Sequence, residues 1–250
     1  MKHLKMVTFN IRYDCEADGK QNFKYRKPII LQKILQEKPD LIGFQELQDH
    51  MLEWLEINLP DYLLVGCGRE CNYSGEHNSI AIKKSVFELL KLDTFWLSPT
   101  PNKPGSRFED QSACPRICTW VELREKESGK IFRCYNTHLD HETALARELG
   151  LAMIMEAIDQ VQVPLLLMGD FNAEPESKEL RLLRASKAWQ DCTQNIEYSY
   201  HEFGNLDQAV KIDYIYLRGE LLHMETKLWN ECVEGIYLSD HYPIEINLGI

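Results

Sequence analysis

Membrane-crossing apolar runs, an excess of positive charge and linker-like sequence are all missing from this chain. No stretch approaches the roughly 18 consecutive apolar residues that a spanning helix needs. The opening MKHLKMVTFN turns strand-like within a few residues, without the apolar core of a secretion leader. A soluble, cytoplasmic protein with no membrane partner is therefore expected. Positive charge is scarce: 28 lysines and arginines stand against 39 aspartates and glutamates, a formal net charge of −11. That balance is opposite to a typical non-specific nucleic-acid binder, so stable duplex DNA binding is not expected, and a polyanionic substrate would need a local basic patch or a bound cation. No Gly/Ser-rich linker, low-complexity tract or short-period repeat divides the chain, and 250 residues at 44% hydrophobic can fill a sizeable core. One domain over 1–250 is the expectation.

The eight cysteines read as reduced thiols in the absence of a secretion signal. Cys67/Cys71 and Cys114/Cys118 could build a zinc site, although their three-residue spacing departs from the usual two. Lys20, Lys24, Arg26 and Lys27, interleaved with Phe23 and Tyr25, form the densest basic cluster, either a short single-strand platform or a solvated helix approach.

Strand-like and helical patterns alternate from end to end, which points to an α/β domain. Strands are expected at Met6 to Phe9, Leu41 to Phe44, Tyr62 to Val65 and Ser79 to Lys83, then over a hairpin of Ile117 to Leu123 and Ile131 to Asn136. Leu165 to Met168, Ile212 to Leu217 and Ile244 to Leu248 complete the clear core strands. Helices are expected around Ile30, Leu31, Ile34 and Leu35, over Asp49 to Asn58, through Leu145, Leu149, Met153 and Ala157, and over Glu176 to Arg184. Leu97 to Pro115, rich in proline, reads as a long surface loop carrying Arg107 and leading to Arg116.

One arrangement repeats: an apolar strand followed at its end by a residue able to ligate a metal or move a proton. Asn10, Glu46, His138 with Asp140, and Asp170 with Asn172 all sit so, while Asp213 lies in a strand and Asp240-His241 precede the last. Taken singly, each is explained by a turn, a cap or a solvated charge. Their repetition in separate segments points to one convergent site at the strand ends.

The motifs FNIR (Phe9 to Arg12), GFQE (Gly43 to Glu46), NTHLDH (Asn136 to His141), GDFNAEP (Gly169 to Pro175), IDYIY (Ile212 to Tyr216) and SDHYP (Ser239 to Pro243) resemble, in order, those of the endonuclease/exonuclease/phosphatase superfamily. The resemblance, nearest to the deadenylase-like branch, implies a DNase I-like fold: a four-layered αββα sandwich of two mixed β-sheets. It implies Mg²⁺ or Mn²⁺, hard cations that prefer carboxylate, amide oxygen and water, with Glu46 as the first ligand and Asn10 and Asp240 nearby. His241 would be general base or phosphate-polarising group, with Asp213 bonding its other ring nitrogen. Asp170 would hold the attacking water or a second metal, Asn172 a phosphate oxygen, and His138 would donate to the developing charge. One metal or two, and which group is the base, stay open. Arg12, Arg107 and Arg116 are candidates for a second phosphate or the leaving group. Asp140 and His201 are further substrate candidates, the latter in Tyr200-His201-Glu202-Phe203, where relatives carry substrate-facing residues, and Trp96 could wall the cleft.

The expected function is a metal-dependent phosphoesterase acting on a phosphomonoester or small phosphodiester, its partner a phosphorylated small molecule or short nucleotide. The alternatives are a nuclease acting on RNA or on single-stranded or damaged DNA, and a catalytically silent scaffold of the same fold. The scaffold predicts damage to a ligand or to the Asp-His pair, and all of these residues are present.

Overall fold

In the computed structural model, which describes residues 2–250, the chain runs β1 (His3–Asn10), α1 (Phe23–Glu37), β2 (Leu41–Gln45), α2 (Asp49–Asn58), β3 (Tyr62–Val65), β4 (Ile80–Lys83), β5 (Phe87–Trp96), β6 (Ile117–Glu125) and β7 (Ile131–His138). It continues α3 (Ala144–Asp159), β8 (Leu165–Asp170), α4 (Arg181–Ala185), β9 (Trp189–Asp191), β10 (Asp213–Arg218), β11 (Leu222–Leu228), β12 (Cys232–Val233), β13 (Ile236–Tyr237) and β14 (Ile244–Gly249).

Two six-stranded mixed sheets result, in the orders β11-β14-β1-β2-β4-β3 and β5-β6-β7-β8-β10-β9. Each has one parallel pair at its centre, β1 with β2 and β7 with β8. A parallel pair needs a crossover, which α1 and α3 supply. The layers follow from strand parity. Met6, Leu41, Phe132, Cys134, Leu166, Met168, Ile215 and Ile246 fill a core between the sheets. Val7, Phe9, Ile42 and Phe44 face outward beneath α1 and α2, and Tyr135, Leu165, Leu167 and Tyr216 beneath α3 and α4. The molecule is thus a four-layered αββα sandwich. At Gly43 the sheets approach so closely that a Cβ would lie 2.5 Å from the Met168 methyl.

Several elements differ from the sequence expectation. β5 and β11 were not expected, because Glu88, Lys91 and Asp93 in one and Glu225 and Lys227 in the other break the apolar alternation. Both are sheet-edge strands, where one side faces solvent and charge is tolerated. α1 begins about two turns before Ile30, capped by the Asn22 side chain, which accepts from the Lys24 N–H. α3 exists as expected but buries Ala146, Gly150, Leu151, Ile154 and Ile158, while Leu145 and Leu149 are exposed. The segment after Asn172 forms a 3-10 turn (Lys178–Leu180) running into the short α4 rather than one helix.

The basic cluster is not a platform. Phe23 and Arg26 are buried, and the Arg26 guanidinium donates to four backbone carbonyls, those of Ile11, Arg12, Gln21 and Leu238. Among the described residues the cysteines form no metal-ligating group. Cys118 lies in the α3-side core, which rules out the four-cysteine zinc site.

Candidate active site

The C-terminal ends of all four parallel strands meet at one edge of the sandwich. Side chains alternate along a strand, so the inward parity that buries Met6, Cys134, Leu166, Met168 and Ile215 also turns Asn10, His138, Asp170 and Asp213 toward the space between the sheets. Registry completes the alignment. His138 lies opposite Asp170 in the parallel pair, and Asp213 opposite Asp170 across the antiparallel one. Glu46 follows β2, and Asp240-His241 arrive from the loop before β14.

Asp170 is the hub. Its Oδ2 accepts from Asn10 Nδ2 at 3.0 Å and lies 3.5 Å from His138 Nε2 and 3.8 Å from His241 Nε2. Asn10 Nδ2 also donates to Glu46 Oε1 at 2.9 Å, so one amide joins carboxylates from opposite sheets. The Tyr13 N–H holds Glu46 Oε2 at 3.0 Å, and His241 Nδ1 meets Asp213 Oδ2 at 2.7 Å.

Burial and neighbouring charge divide these groups electrostatically. Burial pushes the Asp170 carboxyl up to about 7, with the Asp213 charge adding to it. Burial also acts on Glu46, but the Asn10 amide, the His241 charge and the Tyr13 N–H outweigh it and hold that carboxyl below its usual range. For His241 burial is overcome by Asp213, by charge and by hydrogen bond, and the imidazolium persists to about 10. His138 goes the other way: burial, then the Arg116 and Arg69 charges, keep it neutral. Asp240 is raised by burial, against the pull of His241.

Arg12, Glu46 and Asn172, three residues of this edge, adopt positive φ, at 58°, 61° and 48°. Such conformations persist only where surroundings enforce them, and they gather at functional sites. Gly169 precedes Asp170 at φ 144°, and a Cβ there would lie 1.9 Å from the Thr137 carbonyl oxygen.

A cleft of about 720 Å³ opens over these groups, and its lining includes Arg12, Glu46, Arg116, His138, Asp170, Asn172, Asp240 and His241. Asn10 and Asp213 stand just behind them through the bonds above. Three further sequence candidates fall outside the lining. Arg107 donates to the carbonyls of Gln111 and Ser112. Asp140 accepts from the Ser112 hydroxyl and from the N–H groups of Glu142 and Thr143, anchoring the turn into α3. His201 is fully buried, stacked 3.7 Å from the Tyr242 ring. Trp96 does not wall the cleft; its indole N–H donates to the Arg69 carbonyl. Conversely Tyr13, Arg69, Glu76, His141, Arg147 and Glu179 line the cleft and were not singled out. The only sequence signal for Arg69 and Glu76 was an irregular segment between β3 and β4, long for an antiparallel connection.

The donors fit a hard divalent cation. Glu46, His138 and Asp170 offer atoms within 4.8 Å of one another, as do Asp170, Asp213 and His241. Carboxylate oxygens dominate, as Mg²⁺ and Mn²⁺ require. The Asn10 oxygen accepts from the Arg12 N–H, so this amide faces the carboxylates through its nitrogen and positions Glu46.

Among the described residues no helix is long and apolar enough to cross a membrane. Known proteins place the chain in a family. An endonuclease/exonuclease/phosphatase from Bacteroides vulgatus is 30% identical, with all of both chains covered and a TM-score of 0.94. The mannosyl-6-phosphatase of Bacteroides thetaiotaomicron shares the fold, with 24% identity over 99% of this chain and 100% of its own and a TM-score of 0.89. Nocturnin of Drosophila melanogaster is 29% identical over 75% of this chain, which spans 31% of that protein's length. The sequence model of the Endonuclease/Exonuclease/phosphatase family matches residues 7–241, and the chain belongs to that family.

Proposed function

We propose that the whole chain acts as one catalytic unit, a Mg²⁺- or Mn²⁺-dependent phosphoesterase that hydrolyses a phosphomonoester or small phosphodiester. The observation that carries this reading is the run Asp213, His241, Asp170, Asn10, Glu46, linked by hydrogen bonds and short charged contacts across both sheets. Glu46, with Asp240 beside it, would hold the cation, which supplies Lewis-acid neutralisation of the phosphate oxygens. Asp213 fixes the His241 ring through Nδ1, leaving the charged Nε2–H to polarise a phosphate oxygen. Asp170, with His138 and His241 Nε2 at 3.5 and 3.8 Å from its Oδ2, takes the proton of the attacking water. His138 is neutral, buried beside Asp170, and donates to charge building on the phosphoryl oxygens. Asn172, whose Nδ2 bonds the Leu139 carbonyl, presents the rest of its amide to the substrate.

A compact substrate follows from the lining. Carboxylates of Glu46, Glu76, Asp170, Glu174, Glu179 and Asp240 outnumber the cleft's four guanidiniums, which disfavours a long polyanion. The fold is also that of a mannosyl-6-phosphatase. The test is turnover of an aryl phosphate and a bis-aryl phosphodiester with either cation, comparing wild type with Glu46→Ala and His241→Ala. Hydrolysis lost in both variants supports the reading; equal rates in all three overturn it. A preference for duplex DNA over small esters would overturn the substrate assignment.

A further inference from the structure

Beyond the reacting centre, the cleft's far wall is built mainly from residues to which the hydrolytic reading gives no task. Arg69 and Glu76 face each other across the irregular segment between β3 and β4. Two guanidinium nitrogens donate to the two carboxylate oxygens at 2.6 and 2.9 Å, and the Arg69 N–H donates to the Glu76 carbonyl at 3.1 Å. The segment is held rigid: the Gly68 N–H bonds the Tyr73 carbonyl, and a Cβ on Gly68 would lie 2.1 Å from the Ser74 carbonyl oxygen. The Trp96 indole fixes the Arg69 carbonyl from behind. In the same lining Arg147 Nε donates to Glu179 Oε1 at 2.8 Å. His141 Nδ1, also in the lining, accepts from Arg116 Nη2 at 2.8 Å. A guanidinium can only donate, so the His141 proton is on Nε2.

We propose that the Arg69–Glu76 pair, with Arg116, His141 and the Arg147–Glu179 pair, forms the leaving-group subsite and selects a hydroxyl-rich leaving group, that of a sugar or polyol monophosphate. This rests on the phosphoesterase reading and adds to it the residues that choose the substrate. The wall alternates donors and acceptors, guanidinium beside carboxylate. A hydroxyl donates and accepts at once, and so matches such a wall at either kind of group. A second phosphate only accepts, and it would meet Glu76, Glu174 and Glu179. Arg69 and Arg147 are each already neutralised by a carboxylate, so the wall offers directed hydrogen bonds more than net positive charge. Nucleobases are poorly served. The aromatic residues of the lining are Tyr13 and Tyr200, and Tyr200 packs edge-on against His241 at the reacting end. The wall shares its cleft with the reacting centre, since Arg69, Glu76 and Arg116 line the same cavity as Glu46, His138 and Asp170.

The experiment compares kcat/KM for a hexose 6-phosphate, glycerol phosphate, a hexose bisphosphate and phenyl phosphate, with Mg²⁺ or Mn²⁺, in wild type, Glu76→Gln, Arg69→Met and Glu179→Gln. Wild type is expected to favour the hexose monophosphate over phenyl phosphate. The ratio of the two should fall at least about tenfold in Glu76→Gln and Arg69→Met, the effect expected from losing about one hydrogen bond to a charged group. Glu76→Gln loosens a braced segment, so Glu179→Gln, on a different element, serves as the second reading and should lower the same ratio. A wild type active on phenyl phosphate whose ratio none of the variants changes overturns this inference and leaves the phosphoesterase standing. A bisphosphate preference that Glu76→Gln strengthens also overturns it, in favour of an anion pocket. Wild type inactive on every ester removes the phosphoesterase reading and this inference together.

Discussion

Replacing Asp213 by Asn keeps the side chain's shape and removes the charge that holds His241 protonated. The His241 pKa, about 10 with burial opposed by Asp213, should then fall toward or below its ordinary value. Turnover of an aryl phosphate should drop about 10- to 100-fold, the usual cost of losing a histidine's carboxylate partner. A ring-proton NMR titration and a kcat measurement check both, and an unmoved titration would refute the pairing. Gly169→Ala tests the strand end. Its Cβ would meet the Thr137 oxygen at 1.9 Å with φ at 144°, so a loss of about 3 kcal/mol is expected from strain and overlap together, read as a lowered urea midpoint. Asn10, His138, Asp170 and Asp213 were legible because each lies at the end of an apolar strand whose parity dictates where it points, whereas Glu46 and His241 lie outside the strands, Glu46 at a positive φ of 61°, and were legible by type and position alone. Arg107, Asp140 and His201 misled because a charged or aromatic type says nothing of direction off a strand, and each turned to satisfy nearby backbone or a ring. Arg69 and Glu76 were illegible for the same reason: an irregular segment has no period from which to infer a facing.

Helix α3 shows how an apolar excess hides a face. Its sequence ALARELGLAMIMEAID is apolar on nearly every side, so a four-residue comb through Leu145 and Leu149 finds matches on the wrong one. The true face is marked by Gly150, where a Cβ would lie 3.2 Å from the Leu97 side chain. Leu151→Ala should therefore cost about 2–5 kcal/mol, and Leu149→Ala well under that, near about 0.5 kcal/mol; equal denaturation midpoints for the two variants would refute the assignment. Edge strands β5 and β11 were missed because half their surface faces water, whereas the central strands announced themselves as continuous apolar runs. α1 is latched to β1 through Glu37, which accepts from Lys33 and Lys5 Nζ. Those hydrogen bonds, Lys33 first, hold the Glu37 carboxyl below its usual value. A depressed carboxyl stabilises the fold above its unfolded pKa of about 4.5 and loses that contribution as pH falls through the folded value. Glu37→Gln should thus melt lower than wild type at pH 7 by no more than about 1 kcal/mol, since the groups are part-exposed. The gap should close in thermal melts taken well below pH 4.

The order of motifs foretold the sandwich, but the pairing that closes each sheet was not written locally. β1 pairs with β14, His3 opposite Gly249, across nearly the whole chain, and no local pattern reports such a partner. That closure has an electrostatic cost. It brings Glu46 and Asp240 from one side against Asp170 and Asp213 from the other, within a chain of net charge −11. Asn10, bonded to both Glu46 and Asp170, spans the two sheets at this point. A divalent cation at these oxygens would relieve the repulsion and tie the sheets together, so it should stabilise the folded chain as well as serve chemistry. Binding adds about 2.7 kcal/mol when the cation stands at a hundred times its Kd. For a domain of this size each kcal/mol moves Tm by about 2–4 °C, so Mg²⁺ or Mn²⁺ should raise Tm by about 5–10 °C over protein stripped with a chelator. Glu46→Ala should reduce the shift to under about 2 °C, because the Asp170 and Asp240 carboxyls are raised by burial and bind more weakly. Sodium chloride at equal ionic strength should give no comparable shift, which separates a site from general screening. A thermal shift identical in wild type and Glu46→Ala would place the cation elsewhere and remove Glu46 as its ligand.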